Sequence, residues 1–206
     1  MYLLGSIVVL VLGVAPTREI APNVHMPLVG LGTWLYNSSR AEAAVAAALA
    51  LGYTHIDGAY GYKNSDGVGR AFNAHLARTG RPRSDLFLTS KIPGGLSAAE
   101  ATQTLEANLA QFQVEYVDLM LVHYPATWAG EGGKAMRQAE WKALEQFQRI
   151  GKARAIGVSH YCARHLQDIL EVATITPALN QVEFHVGMGS AGPNATDDRS
   201  VWEAAG

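Results

Sequence analysis

A single cysteine, Cys162, stands among the 206 residues, so the chain forms no internal disulfide and cannot build a thiolate-rich metal site. An excess of one charge is lacking too. Sixteen Lys and Arg against eighteen Asp and Glu leave a net charge of -2, spread without long runs of either sign. That balance denies electrostatic support to a nucleic-acid or anionic-membrane surface. Internal repeats and low-complexity segments are absent. His55, His75 and His165 have no ligand-like spacing with carboxylates, so no metal is expected.

Basic residues are also missing ahead of Arg18. The start of the chain, MYLLGSIVVLVLGVA, therefore lacks the basic flank usual for a secretory signal. Its apolar run from Ile7 to Leu12 nevertheless suits a signal-peptide core, is short for a bilayer span, and is followed by the small residues Gly13, Val14 and Ala15. Residues 1–15 are read as an apolar leader, open between an export signal, a buried or membrane-associated tail and a misassigned start. The expected location is cytoplasmic or, if the leader functions, the secretory pathway. No stable membrane association is expected beyond that leader.

Hydrophobic residues make up 49% of the chain, enough for one substantial core in one domain, placed at residues 22–206. Short apolar runs at 28–32, 53–57, 86–91, 116–123, 153–159 and 178–184 suit buried strands. Segments 40–51, 68–78, 97–112, 135–150 and 163–172 between them have helical spacing. Ser97 and Glu100 form a capping-box pattern at one helix start. Strand followed by helix, repeated in this way, predicts a parallel α/β sheet joined by right-handed crossovers.

Two architectures contain such a sheet. A doubly wound nucleotide fold needs Gly-x-Gly-x-x-Gly after its first strand, and Gly30-Leu31-Gly32-Thr33-Trp34 has no third glycine in place. A barrel instead gathers its chemistry at the C-terminal ends of several strands. Asp57, Lys91, His123, Ser159, His160 and Gln181 fall at such ends. The fold expected is a (β/α)8 TIM-type barrel, incomplete, with about six of its eight strands. Such barrels typically need about 250 residues. Open parallel edges are then expected to favour self-association.

The polar strand ends imply a chemistry. A tyrosine is a weak acid at neutral pH, but a neighbouring ammonium stabilises its phenolate, so Lys91 beside Tyr62 is expected to lower that tyrosine's pKa. A buried Lys91 needs a counter-charge, which Asp57 supplies from the adjacent strand end. His123 could orient a carbonyl oxygen. Tyr62 would then donate a proton to a developing alkoxide, and a hydride source such as a nicotinamide is implied. Singly, each residue has a structural alternative: Asp57 as a helix cap, Tyr62 as loop packing, Lys91 as a snorkelling strand end, His123 as a satisfied core histidine. Four at successive strand mouths point to a site.

Residues 23–185 resemble the aldo-keto reductase family. Gly52-Tyr53-Thr54-His55-Ile56-Asp57-Gly58-Ala59, with Tyr62 following, resembles its first signature. Leu88-Thr89-Ser90-Lys91 and the segment from Asp118 to His123-Tyr124-Pro125 resemble the strands bearing its catalytic Lys and His. The resemblance implies Asp57, Tyr62, Lys91 and His123 as catalytic residues, and Thr33 near the nicotinamide ribose. It further implies Trp34 and Tyr124 as substrate-pocket walls, and Ser159, His160 and Gln181 around the nicotinamide carboxamide. Trp34 and Asp57 would also contact cofactor, and Tyr62 and His123 substrate. Three positions depart from the pattern: His160 stands where the family usually has Asn, Thr54 where it has a basic residue, and Ser65 where it has an acid. The family's strands seven and eight, which hold the rest of the cofactor and choose NADPH over NADH, have no counterpart here, nor has its C-terminal specificity loop. The expected activity is NADPH-dependent reduction of aldehydes or ketones to alcohols, an alcohol dehydrogenase (NADP+) activity, with NADH not excluded and a small carbonyl compound as the partner. The alternatives are an inactive truncated fragment and a non-catalytic binding subunit.

Overall fold

The structure, a computed structural model, describes residues 16–183. Six parallel strands, β3 (Leu31–Gly32), β4 (His55–Asp57), β5 (Phe87–Ile92), β6 (Val117–Val122), β7 (Ala153–Ser159) and β8 (Asn180–Gln181), pair in sequence order into one curled sheet. Helices α1 (Ser38–Ala50), α2 (Ser65–Thr79), α3 (Ala98–Phe112), α4 (Lys134–Arg149) and α5 (Ala163–Leu170) form the crossovers. This is an incomplete (β/α)8 barrel, as expected. The leader, residue 184 at the end of the expected sixth strand run and the rest of the expected domain beyond it lie outside the described residues.

Alternation along the strands divides the core in two. Leu88, Ile92, Met120, Val122, Ile156 and Val158 face the helices and pack with Val45, Phe72, Leu105 and Trp141. Phe87, Leu119, Leu121 and Ala155 face the barrel interior. A two-residue period continues the inner set to Lys91 on β5, His123 beyond β6 and Ser159 on β7, all at C-terminal strand ends. The polar residues thus stand on the inner face at the mouth because the apolar residues behind them on each strand point the same way.

An antiparallel hairpin, β1 (Thr17–Ala21) and β2 (Val24–Pro27), was not anticipated, and it extends the fold ahead of residue 22. Val24 packs against Phe87, Leu119 and Leu121 and closes the N-terminal end of the interior. Asn23, at φ 61, makes the turn, and its carbonyl accepts from Arg154 Nη2 at 2.7 Å.

The outer strands are shorter than expected. Leu28 and Val29 are over half exposed, and the Leu28 amide donates to Pro16 O instead of a strand partner. Among the described residues β3 and β8 are sheet edges with one neighbour each, so pairing holds only where that neighbour reaches. A cavity of about 400 Å³ opens between these edges, lined among others by Met26, Leu28, Leu119, Leu179 and Val182. No described helix is long and apolar enough to cross a membrane.

Candidate active site

Each strand end delivers one group to the mouth. Lys91, 1% exposed, donates from Nζ to Asp57 Oδ1 at 2.5 Å, to Gly58 O at 3.0 Å and to the Tyr62 hydroxyl at 3.4 Å. Tyr62 closes a single 3-10 turn, Tyr60–Tyr62, which ends on Lys63 in the left-handed region at φ 55. Asn64, fully buried, follows and donates to Thr33 O and Tyr36 O at 2.8 Å, clamping the turn to the loop after β3. The His123 ring meets the Tyr62 ring edge-on with centroids 5.5 Å apart.

Burial sets the protonation of this cluster. Desolvation, opposed by Asp57, lowers Lys91. Desolvation, then the charges of Lys91 and His160, lower His123 to about 4 against a small opposing pull from Asp57, so its imidazole is neutral at pH 7. Tyr62 goes the other way from expectation: burial, then the negative charge of Asp57, push its phenol up. The anticipated acidification is outweighed, because burial and the Asp57 charge favour the neutral phenol more than an ammonium 3.4 Å away and itself paired with Asp57 favours the phenolate. Tyr62 is a firmly protonated phenol whose oxygen already accepts from Lys91, which leaves its own proton to be given elsewhere.

The remaining expected residues divide. Gln181 Nε2 donates to Asp57 Oδ2 at 2.8 Å, and Ser159 Oγ donates to Gln181 O at 2.8 Å, so both join the Asp57 network. Thr33 is fully buried, with its amide and hydroxyl both on Asp57 O at 3.0 Å. In this structure Thr33 holds the C-terminal end of β4 in place. His160 takes a left-handed φ of 56, and its ring stacks on Tyr124 at 4.8 Å, while Tyr124 stacks on His123 at 4.4 Å. Trp34 is 66% exposed and stands outside the hydrogen-bonded cluster. The sequence reading missed Gly58, Asn64 and Trp128. The last is an exposed indole edge-on to Tyr124 at 4.9 Å; an aromatic residue soon after a strand-end His-Tyr pair was the available signal.

A buried lysine paired with aspartate thus lies in reach of a tyrosine and beside a neutral histidine at one barrel mouth. The model of the Aldo/keto reductase family matches residues 28–195. The chain belongs to the aldo/keto reductase family. It is 38% identical over 171 residues to an aldo-keto reductase of Mycolicibacterium vanbaalenii, covering 82% of this chain and 58% of that one. Against the glyoxal reductase of Bacillus subtilis it is 39% identical over 171 residues, with the same coverage of 82% and 58%. The crystal structure of an aldo/keto reductase from Brucella melitensis superposes with a TM-score of 0.81 at 30% identity, covering 93% of this chain and 68% of that one. This aldo/keto reductase chain thus spans little more than half the length of the curated relatives it matches.

Proposed function

We propose that this chain carries the catalytic centre of a nicotinamide-dependent reductase of aldehydes and ketones, with Tyr62 as proton donor and NADPH as the preferred cofactor. The observation that carries the reading is the placement of Lys91 Nζ between Asp57 Oδ1 and the Tyr62 hydroxyl in a nearly dry position. The family membership supports it, as does the glyoxal reductase among the relatives.

The mouth fits the carboxamide end of such a cofactor. With Gln181 Nε2 on Asp57, the side-chain oxygen of Gln181 is the acceptor offered to an amide. The Ser159 hydroxyl keeps lone pairs beside it, and the His160 ring supplies a further polar edge at the surface. Bound there, the nicotinamide supplies a hydride to the carbonyl carbon.

This chain's own residues do the rest. Neutral His123 donates a hydrogen bond to the carbonyl oxygen and orients it beside Tyr62. As the carbon gains hydride and the carbon–oxygen π bond breaks, the Tyr62 proton passes to that oxygen and an alcohol leaves. The Lys91 ammonium, 3.4 Å from the Tyr62 oxygen, stabilises the phenolate left behind until solvent reprotonates it. Asp57 keeps Lys91 charged against the cost of its burial. Exposed Trp34 and Trp128 with Tyr124 suit an apolar or aromatic carbonyl compound. The open edges of β3 and β8 provide the surface for self-association.

The test is a fluorescence titration of the 206-residue chain with NADPH, followed by turnover of aromatic aldehydes. Saturable binding with turnover is the expected result. A folded chain that neither binds NADPH nor consumes it in the presence of an aldehyde overturns the proposal.

A further inference from the structure

Helix α4 carries two glutamates with no solvent exposure, Glu140 and Glu145. Glu145 is surrounded by donors: Lys142 at 3.0 Å, Arg149 at 3.3 Å, and the amides of Thr174 at 2.5 Å and Ile175 at 2.9 Å. Burial pushes its carboxyl up, but the Ile175 amide, Lys142 and Thr174 outweigh burial and bring it to about 2. Glu140 has no such company. Its Oε1 accepts from the Leu96 amide at 2.5 Å, and the Gly95 amide bonds the same carboxylate. Its Oε2 is buried without a hydrogen-bond partner among the described residues, and so is the Tyr161 hydroxyl. The two are electrically coupled, since burial and then the Glu140 charge push the Tyr161 phenol up.

Both contacts lead to the mouth. Gly95 and Leu96 lie in the loop after β5, the strand that carries Lys91. Their neighbour Gly94 packs without room for a side chain, because a Cβ there would stand 1.9 Å from Tyr124 O. The backbone of that loop therefore bears directly on the backbone of the aromatic wall. Tyr161 follows His160, and Asn180 of β8 holds it by receiving its amide and donating to its carbonyl. Glu140 stands between the two loops whose rings, Tyr124 and His160, stack on each other.

We propose that Glu140 is a positioning residue whose gain or loss of a proton resets the loop after β5 against the loop after β7, and with them the Tyr124–His160 wall of the mouth. Ionised, the carboxylate accepts strongly from the Gly95 and Leu96 amides, while its Oε2 stays buried without a donor among the described residues. Protonated on Oε2, it becomes a donor there, and Oε1 is a weaker acceptor for the loop amides. Burial, countered by the two amides and Arg137, raises the Glu140 carboxyl to about 7, so the change falls near neutrality. The charged and titratable groups around it are Arg137 on its own helix, which pairs with Asp168 of α5, and Tyr161, whose ring meets that of His165 on α5 edge-on. The loop after β5 presents amides. Arg137 is engaged by Asp168 at 2.6 Å and Pro125 O at 3.0 Å, so it reaches Glu140 through its charge and not through a direct ion pair.

The consequence for turnover rests on the function proposed above, but the test does not. Amide NMR of the full chain, followed from about pH 5 to about pH 9, is expected to show the Gly95 and Leu96 resonances moving together with a midpoint near 7. The Tyr124 ring is expected to follow the same midpoint. Glu140→Gln, which keeps an acceptor but cannot ionise, should flatten the two amides. A flat Leu96 amide in the unmodified chain overturns the proposal without recourse to any variant, and so does a titration that survives Glu140→Gln. A titrating Leu96 in a chain with no reductase activity supports the inference and counts only against the function.

Discussion

The two ends of the half-barrel handle buried charge in opposite ways. At the N-terminal end, Asp118 is fully buried and uses both oxygens: Oδ2 takes Arg83 at 2.8 Å and the Leu88 amide at 2.9 Å, and Oδ1 takes Arg154 at 3.0 Å. Arg83 is also flanked by the Phe72 and Tyr116 rings at 4.9 Å and 4.3 Å. Arg154 reaches on to Asn23 O and ties the hairpin down. At the mouth, Lys91 has one carboxylate for company, and burial shifts Lys91, Tyr62 and His123 from their ordinary values. Saturated pairing makes a plug; incomplete pairing leaves groups whose protons can be moved. The same fold supplies both because its strands run parallel, with all N-terminal ends at one face and all C-terminal ends at the other.

The largest effect expected from breaking this comparison is at Tyr62. Tyr62→Phe removes only a hydroxyl, and kcat/KM for aldehyde reduction should fall about 10²- to 10⁴-fold while NADPH affinity and thermal stability stay close to those of the parent. A normal reduction rate in that variant would remove Tyr62 as proton donor. Asp118→Ala is the reciprocal case. It leaves Arg83 and Arg154 without their shared carboxylate and should cost about 3 kcal/mol, the low end for a broken buried pair because Arg154 is partly exposed. Urea denaturation measures that loss. A larger drop in kcat than in stability would mean the two ends are not separable.

How much of this was legible in the sequence differs between these regions. β7 was read to the residue because its apolar run is bounded by polar Lys152 and exposed His160. β3 and β8 were read too long, since apolar composition does not show that an edge strand runs out of partners. α2 starts at Ser65, ahead of the expected residue 68. Gly67 and Gly69 lie in its first turns and serve close packing, since a Cβ on them would lie 2.0 Å from Ser38 O and 2.3 Å from Phe112 O. The capping box at Ser97 and Glu100 was visible and is formed. Asp57, Tyr62, Lys91 and His123 were legible because strand ends converge in a barrel. The direction of Tyr62's acidity was not, because it depends on how deeply the phenol is buried and on the Asp57 charge beside it. Glu140 gave no signal at all among the polar residues of α4.

A smaller effect sharpens the contrast through pH. With its pKa lowered to about 4, His123 stays neutral in the folded chain where an unfolded imidazole, near about 6.5, takes up a proton. Between those two values the unfolded state binds more protons, so stability falls as pH drops through the window and rises with pH across it. His55 and His160, lowered by burial as well, contribute to the same slope. His123→Gln should therefore flatten the dependence of the melting temperature on pH in part. An unchanged slope would place the effect on the other histidines.

The smallest effect asks whether location at the mouth is by itself enough to matter for chemistry. Ser97 begins α3 just beyond the loop after β5, on the same end of the barrel as Lys91, but its hydrogen bonds are complete. Its side chain accepts from the Glu100 amide, and Glu100 Oε2 accepts from the Ser97 amide at 2.9 Å. Ser97→Ala removes a helix cap and should cost about 1 kcal/mol of stability. Because the cap touches none of Asp57, Tyr62, Lys91 or His123, kcat and KM should stay unchanged at temperatures where the variant is folded. If reduction slows in step with the lost stability, the helix start is coupled to the catalytic cluster through the Gly94–Leu96 loop. The distinction between paired and incompletely paired groups would then have to be drawn between whole loops and not between side chains.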